Sequence, residues 1–383
     1  MIDRNISVLI PDGEAPVLMI VLNCLSEVRG IKIHVMSDDN EIPMKHSNKV
    51  HKFSFYPKTT NTDFINHINK EVDKYNIDVI MPIFEDAIRV ILEHKDLISS
   101  INKLALLPSY ENFNTANNKG LLNKHLAENN LPFPKTQMID KGVDFDIKTV
   151  DFPVLVKPAE GIGGGNGIDV FRDKSGLNEF LNSDKFNCTY LIQDYVEGYD
   201  IDCSVLCKNG EILAYTIQKP NMFGNSKYAP QISFEFLEND VLFKDVEKLM
   251  KTLNWSGVAH LDMRYDKNAN NFKVIEVNPR FWGSVEASLF AGVNFPYLYA
   301  AASLGYEFDM PKYKFIDFML MKGLVKSIKN DKSYLFKLNF IFKHTPMKYM
   351  LNDLKPTFYR FSRFFMRKIR PKKNFQHFII NSL

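Results

Sequence analysis

Lys273-Val274-Ile275-Glu276-Val277-Asn278-Pro279-Arg280 is the stretch whose reading decides the fold. It reads as a strand, in which Glu276 and Asn278, two apart, project from the same face of an extended chain. A glutamate inside the apolar run Val274, Ile275 and Val277 is costly to bury unless something neutralises it. Magnesium, held by one or two carboxylates together with phosphate oxygens, is a natural partner. An ion pair with Arg264 or Arg280 is the structural alternative. Just upstream, His260-Leu261-Asp262-Met263-Arg264 reads as a second strand and brings another carboxylate, Asp262, to the same set.

Further upstream, Pro153-Val154-Leu155-Val156-Lys157 runs as a strand into a loop with five glycines in seven positions, from Gly161 to Gly167. A second strand-like run follows to Phe171. Glycines at this density let successive N–H groups point into one concavity, as a polyphosphate requires. No Gly-Lys-Ser/Thr closes the loop and no helix follows it, so it is neither a P-loop nor a dinucleotide fingerprint. A flexible hairpin turn is the plain alternative, and for Lys157 it is a solvated strand end. Between these segments, Tyr190–Asp194 reads as a strand. It ends in the acidic turn Tyr195-Val196-Glu197-Gly198-Tyr199-Asp200, and a further strand follows. An exposed backbone edge there suits adenine and a carboxylate suits ribose hydroxyls, although acidic turns between strands are common.

The first hundred or so residues alternate strands and helices. Ile6–Ile10, Ile31–Met36 and Asp78–Ile83 read as strands, with helices over Ala15–Val28, Phe64–Tyr75 and from Glu85 through Leu97. That alternation predicts a parallel sheet with helices on its faces. Glu85 and Asp86 fall at a strand's carboxyl end, where they serve either a ligand or the helix N-terminus. The turn Pro11-Asp12-Gly13-Glu14 lacks the GxGxxG of a dinucleotide site. A helix over Asn114–Asn130 carries Lys119, and Leu131-Pro132-Phe133-Pro134 breaks the pattern after it.

The chain has 383 residues, 45% hydrophobic and 24% charged, with a net charge of +3. These are the proportions of a globular protein of two or three subdomains. No run approaches the roughly 20 apolar residues that span a bilayer. The apolar Ala15–Leu22 follows Asp3, Asp12 and Glu14, so it reads as a buried element rather than a secretory signal. Four cysteines without a CxxC pair suit reduced thiols in the cytoplasm, with Cys203 and Cys207 on one strand face. The charge is unevenly spread. Residues 311–383 hold 17 Lys and Arg against three Asp, whereas the remainder holds 31 basic and 42 acidic residues.

In this order and spacing the three segments resemble the ATP-grasp superfamily, most closely its carboxylate–amine ligases and the carbamoyl-phosphate-synthase-like branch. The resemblance covers about half the chain as core. It implies an α/β N-terminal pre-ATP-grasp domain over 1–110 and a two-lobed α+β ATP-grasp core over 111–310, with a lid lobe at about 150–206. Beyond these lies a basic, aromatic-rich helical extension over 311–383. It implies ATP contacts from Lys119 and Lys157, and a mobile phosphate loop at Gly163, Gly164 and Gly165. Adenine would meet Asp194 and Val196, and ribose would meet Asp200. It implies magnesium, or manganese, on Asp262, Glu276 and Asn278, with Arg280 and Lys157 acting on the transferred phosphoryl group. Asp194 and Asp200 are each one methylene shorter than the glutamates usual at these places.

The implied chemistry is a ligase that turns a carboxylate into an acyl phosphate for attack by an amine. Two other functions stay open: phosphotransfer to a different acceptor, and a non-catalytic, membrane-associated nucleotide-binding regulator. Expected partners are ATP and small carboxylates and amines, with homo-oligomers open and nucleic acid excluded for want of a reading module. In the extension, Phe358, Phe361, Phe365 and Ile369 fall at helical spacing on one side. Arg360, Arg363, Arg367 and Arg370 lie on the other. Such a helix suits either a peripheral anionic membrane at the inner face or docking onto the protein's own acidic body.

Overall fold

The computed structural model describes residues 5–57, 59–143, 145–159, 167–225 and 229–369, without the side chains of 364–369. The chain divides into two compact units, 1–107 with 280–383, and 108–279. The second unit ends at Pro279, directly after the Glu276–Asn278 strand, and residues 280–383 group with the N-terminal residues.

In the first unit, β1 (Ile6–Ile10), α1 (Leu18–Ser26), β2 (Ile31–Ser37), β3 (Lys52–Phe55), α2 (Asn61–Tyr75), β4 (Val79–Ile80) and α3 (Glu85–Glu93) follow in sequence. The four strands make a parallel sheet in the order β3-β2-β1-β4. Leu9, Met36 and Ile80 from the strands pack with Phe64, Ile65, Ile68 and Val72 from α2. β4 is shorter than the sequence suggests. α3 also stops early, at Glu93, and Lys95–Leu97 continues only as a 3-10 turn. The acidic pair does not cap α3 through its side chains; the N-cap is Phe84. After β1 the chain is fixed by Asp12, whose carboxylate accepts the backbone N–H of Ile83 (3.0 Å) and Phe84 (2.8 Å). Burial pushes that carboxyl up to about 8. At Gly13 a Cβ would lie 2.5 Å from Val35 Cγ1, so this turn is closed by packing.

The second unit opens with α4 (Tyr110–Asn117) and α5 (Lys119–Glu128), not with one helix. Asn118 is extended between them, and its side chain accepts the N–H groups of Gly120 and Leu121, so Lys119 becomes the first residue of α5. Next come β5 (Thr136–Ile139), β6 (Val154–Pro158), β7 (Asp169–Phe171), α6 (Lys174–Leu181) and β8 (Tyr190–Asp194). Their antiparallel sheet has the order β5-β8-β6-β7, with Leu177 and Phe180 of α6 in its core. The strands of this small sheet span 136–194.

The larger sheet is built from β9 (Gly198–Lys208), β10 (Glu211–Phe223), β11 (Gln231–Leu237), β12 (Gly257–Asp266) and β13 (Asn271–Asn278), with α7 (Asp240–Thr252) between β11 and β12. Its strands run antiparallel in the order β13-β12-β9-β10-β11. One face is apolar and packs on α5 and α7. Leu242, Val246 and Leu249, one helical stripe of α7, are fully buried there, each stabilising by about 1.5–3 kcal/mol. Cys203 and Cys207 lie on this face as buried free thiols.

The first unit resumes after Arg280 with α8 (Val285–Ala291), α9 (Phe295–Ser303), β14 (Asp317–Met319), α10 (Met321–Asn330), α11 (Leu338–His344), α12 (Met347–Asn352) and α13 (Lys355–Ile369). α8 and α9 pack on α1. Among the described residues, no helix is long and apolar enough to cross a membrane.

Candidate active site

The polar face of the large sheet is organised by strand register. Asp262 on β12 stands opposite Asp202 on β9 and opposite Glu276 on β13. Two residues away, His260 stands between Ser204 and Asn278. β10 extends both rows, with Gln218 opposite Asp202 and Thr216 opposite Ser204. Alternation places all of these on one face. On β13 it needs help, because Val274 and Val277 both belong to the core. The register slips between Asp262 and Met263, leaving Ile275 as the extra residue of a β-bulge. The bulge turns Glu276 and Asn278 away from the core that holds Val274 and Val277.

Three carboxylates in one row repel each other, and only Asp202 is fully buried, Asp262 and Glu276 being partly exposed. Asp202 is only 1% exposed and accepts the side-chain amides of Gln218 (3.3 Å) and Gln231 (3.4 Å). Burial, and then the charge of Asp262, hold the Asp202 carboxyl well above the usual range. The same two causes, in the same order, raise Glu276. Two lysines oppose this. Lys119 Nζ lies 3.7 Å from Glu276 Oε2. Lys157, on β6, donates to Gln193 Oε1 at 3.4 Å. Burial lowers the Lys157 ammonium pKa, while the charges of Glu276 and Asp262 pull it back up.

The donors suit a hard divalent cation. His260 Nε2 is 3.3 Å from Asp262 Oδ1 and 4.0 Å from Asp202 Oδ2, and Asn278 Nδ2 is 3.4 Å from Asp262 Oδ2. Asp202, His260 and Asp262 bring ligand atoms within 4.8 Å of one another. Carboxylates brought together around a buried Asp202 have a cation deficit that magnesium or manganese would relieve, so the residues fit such an ion. The sequence reading did not single out Asp202, although its spacing from Asp200 and Ser204 signalled it. His260 Nδ1 is held 2.9 Å from Ser204 Oγ.

The two arginines weighed against the metal are engaged elsewhere. Arg264 donates Nε to the carbonyl of Val196 (2.8 Å) and Nη2 to that of Gly198 (2.9 Å), and its Nη1 pairs with Asp200. Asp200, expected at the ribose, thus gives its carboxylate to a clamp that shapes the turn. At Gly198 a Cβ would sit 1.9 Å from the Tyr265 carbonyl oxygen, so only glycine permits this approach. Val196 is buried, and Asp194, at the end of β8, has its carboxyl raised mainly by burial. Arg280 belongs to the first unit, where Nε pairs with Glu85 Oε1 at 2.8 Å and the guanidinium covers the Phe84 ring at 5.0 Å. Gly163, Gly164 and Gly165 lie outside the described residues.

Comparison with known proteins agrees with this architecture. Residues 187–321 match a family described as ATP-grasp in the biosynthetic pathway with Ter operon. Carbamoyl-phosphate synthase of Methanobrevibacter smithii is 28% identical over 159 residues, 39% of this chain and 42% of that protein. D-alanine–D-alanine ligase A of Clostridium perfringens is 28% identical over 193 residues, 46% of this chain and 62% of that protein. The chain therefore spans less than two thirds of either relative. Among solved structures, N5-carboxyaminoimidazole synthetase of Staphylococcus aureus, complexed with ADP, aligns with a TM-score of 0.66 at 16% identity. The alignment covers 88% of this chain and 86% of that one. An L-amino acid ligase from Bacillus licheniformis gives 0.57 at 18% identity, covering 79% and 74%. With a parallel α/β unit, a small antiparallel lobe and a polar-faced large sheet carrying Asp262, Glu276 and Asn278, the chain has the fold of these ATP-grasp structures, and residues 187–321 match an ATP-grasp family.

Proposed function

We propose that this protein is an ATP- and magnesium-dependent ligase that activates a carboxylate as an acyl phosphate for attack by an amine. The observation that carries the reading is the row Asp202–Asp262–Glu276, set against Lys119 and Lys157, with Asp202 buried and the rest half-buried. Relatives named as an L-amino acid ligase and a D-alanine–D-alanine ligase support it. ATP and the divalent ion are proposed as the bound species.

In this reading Asp262, Glu276 and Asn278 hold the ion. When bound, the ion supplies charge neutralisation at the phosphates. Lys119 and Lys157 bind phosphate oxygens. Desolvation raises the energy of the bare Lys157 ammonium, so an incoming phosphate relieves that cost, and the interaction is strong in so dry a site. Arg264 fixes the turn 196–200, and Val196 and Asp194 line the adenine. Arg280, held in plane by Glu85 and Phe84, is assigned to the transferred phosphoryl group. A carboxylate oxygen attacks the γ-phosphorus, and the bond to the ADP oxygen breaks with its electron pair leaving on ADP. The neutral amine then attacks the acyl carbon, the C–O bond to phosphate breaks, and the nitrogen loses a proton as phosphate departs. No side-chain nucleophile is needed.

The test is ADP release from MgATP with pools of amine-free carboxylates, of amines lacking a carboxylate, and of the two together, amino acids being supplied as the pool that carries both groups. The reading expects ADP and inorganic phosphate only when both substrates are present. Phosphate retained on an acceptor would identify phosphotransfer instead, and nucleotide binding without turnover in every pool would make the protein a binder.

A further inference from the structure

The amphipathic pattern of α13 allowed two fates for its phenylalanines: burial against the protein or exposure to a partner. Docking of this helix onto the first unit is carried by a different edge. Asp353 is buried and accepts the Ser47 hydroxyl and the Asn48 N–H (3.3 Å). The Tyr359 ring lies 4.4 Å from the His46 ring, its hydroxyl is 3.4 Å from Glu41 Oε2, and Arg363 pairs with the same Glu41. Leu354, Phe358 and Phe361 fall on the opposite edge, one helical stripe at i, i+4 and i+7. They are 45%, 67% and 60% exposed. Among the described residues the helix is thus seated on the protein by polar groups and leaves Leu354, Phe358 and Phe361 bare; the side chains of Phe365, Arg367 and Ile369, and Arg370, lie outside the described residues.

Two further features of residues 311–383 repeat the pattern. Leu335, Phe336 and Leu338 are three exposed apolar side chains within four residues, with Phe336 85% exposed. An open groove has a floor of Phe290, Ile316 and Phe342 and a rim of Lys314, Lys343 and Lys348. In sequence, residues 311–383 carry 17 basic residues against three acidic ones, of which Asp353 is turned inward. Single exposed apolar residues are ordinary, but the stripe Leu354, Phe358 and Phe361 on a strongly basic segment calls for a cover. A second copy would bring two like-charged extensions together. An anionic bilayer instead offers hydrocarbon for the rings and phosphates for the lysines, each basic group near the surface being attracted by about 1 kcal/mol.

We propose that the C-terminal extension is a membrane-docking surface that rests on anionic lipid through Leu354, Phe358 and Phe361 and the basic residues beside them, Lys355 and Arg360. The rings enter the interfacial layer and the body of the first unit stays in water above it. The inference does not depend on the ligase chemistry.

The test is flotation of the full chain with vesicles of phosphatidylcholine alone and of phosphatidylcholine with 30% phosphatidylglycerol, at about 50 and 500 mM salt. The expected result is binding to the anionic vesicles at low salt, weakened by salt and absent from the neutral ones. Phe358→Ser with Phe361→Ser should cut partitioning at least tenfold, and Lys355→Glu with Arg360→Glu should do the same. Both pairs are exposed, so the circular dichroism spectrum and the nucleotide affinity should not change. Absence of binding at low salt would overturn the proposal. So would anionic binding that is indifferent to the serine pair, because the stripe would then have no part in it. A concentration-dependent dimer that the serine pair dissociates would show that a second copy covers the face.

Discussion

Asp262 and Glu276 stand directly opposite each other across β12 and β13, with Lys119 Nζ 3.7 Å from Glu276 Oε2. Two carboxylates held this way cost stability in the free protein and gain it back when a cation enters. The site is therefore less comfortable empty than filled.

Glu276→Gln tests that relationship. The amide keeps the shape and removes one charge, so ADP release at saturating magnesium should fall about 100-fold or more, while the melting temperature holds or rises. Undiminished turnover would remove Glu276 from the metal set.

Lys157→Met separates a phosphate ligand from a solvated strand end. Burial already disfavours the Lys157 ammonium, so the substitution should leave thermal stability intact or improve it. Affinity for ATP should weaken about tenfold or more, or about 1.4 kcal/mol. Unchanged affinity by calorimetry would return Lys157 to the strand end.

Much of this face is legible in the chain. Glu276 and Asn278 are two apart in a strand, and a glutamate among β-branched residues announces a buried carboxylate. The bulge at Ile275 is not legible, because it depends on which β12 residue each β13 residue meets. The same holds for Arg264, whose partner Asp200 is opposite it only once β9 and β12 pair. Asn118 could have been read as a cap, being followed by the helix formers Leu121 and Leu122. The longer apolar pattern from Asn114 to Asn130 hid the break. In the extension, helical spacing named the apolar stripe but could not say which edge docks. That was decided by Ser47, Glu41 and His46, some 300 residues away in sequence.

A third prediction concerns pH. Glu286 is 2% exposed and accepts from Asn23 Nδ2. Burial pushes its carboxyl from 4.5 up to about 7, against the pull of Asn23, Lys49 and Lys348. Between these values the folded protein keeps a proton that the unfolded chain has lost. Stability from this group is therefore full below pH 4.5, falls as pH rises toward 7, and is level above it. The whole change is about 3 kcal/mol. Glu286→Gln should gain stability over the parent at pH 8 compared with pH 5, read from urea midpoints. A difference that is the same at both pH values would contradict the assignment.

The central claim is that ATP activates a carboxylate by phosphorylating it, and oxygen transfer tests it most directly. The protein would be incubated with MgATP, an amine pool and amino acids labelled with oxygen-18 in their carboxyl groups, and the released inorganic phosphate examined by mass spectrometry. An acyl phosphate that yields to an amine must leave one labelled oxygen on phosphate, so the account predicts phosphate two mass units heavier. Unlabelled phosphate accompanying full ADP release would mean that water or another acceptor took the phosphoryl group, and the account would be wrong.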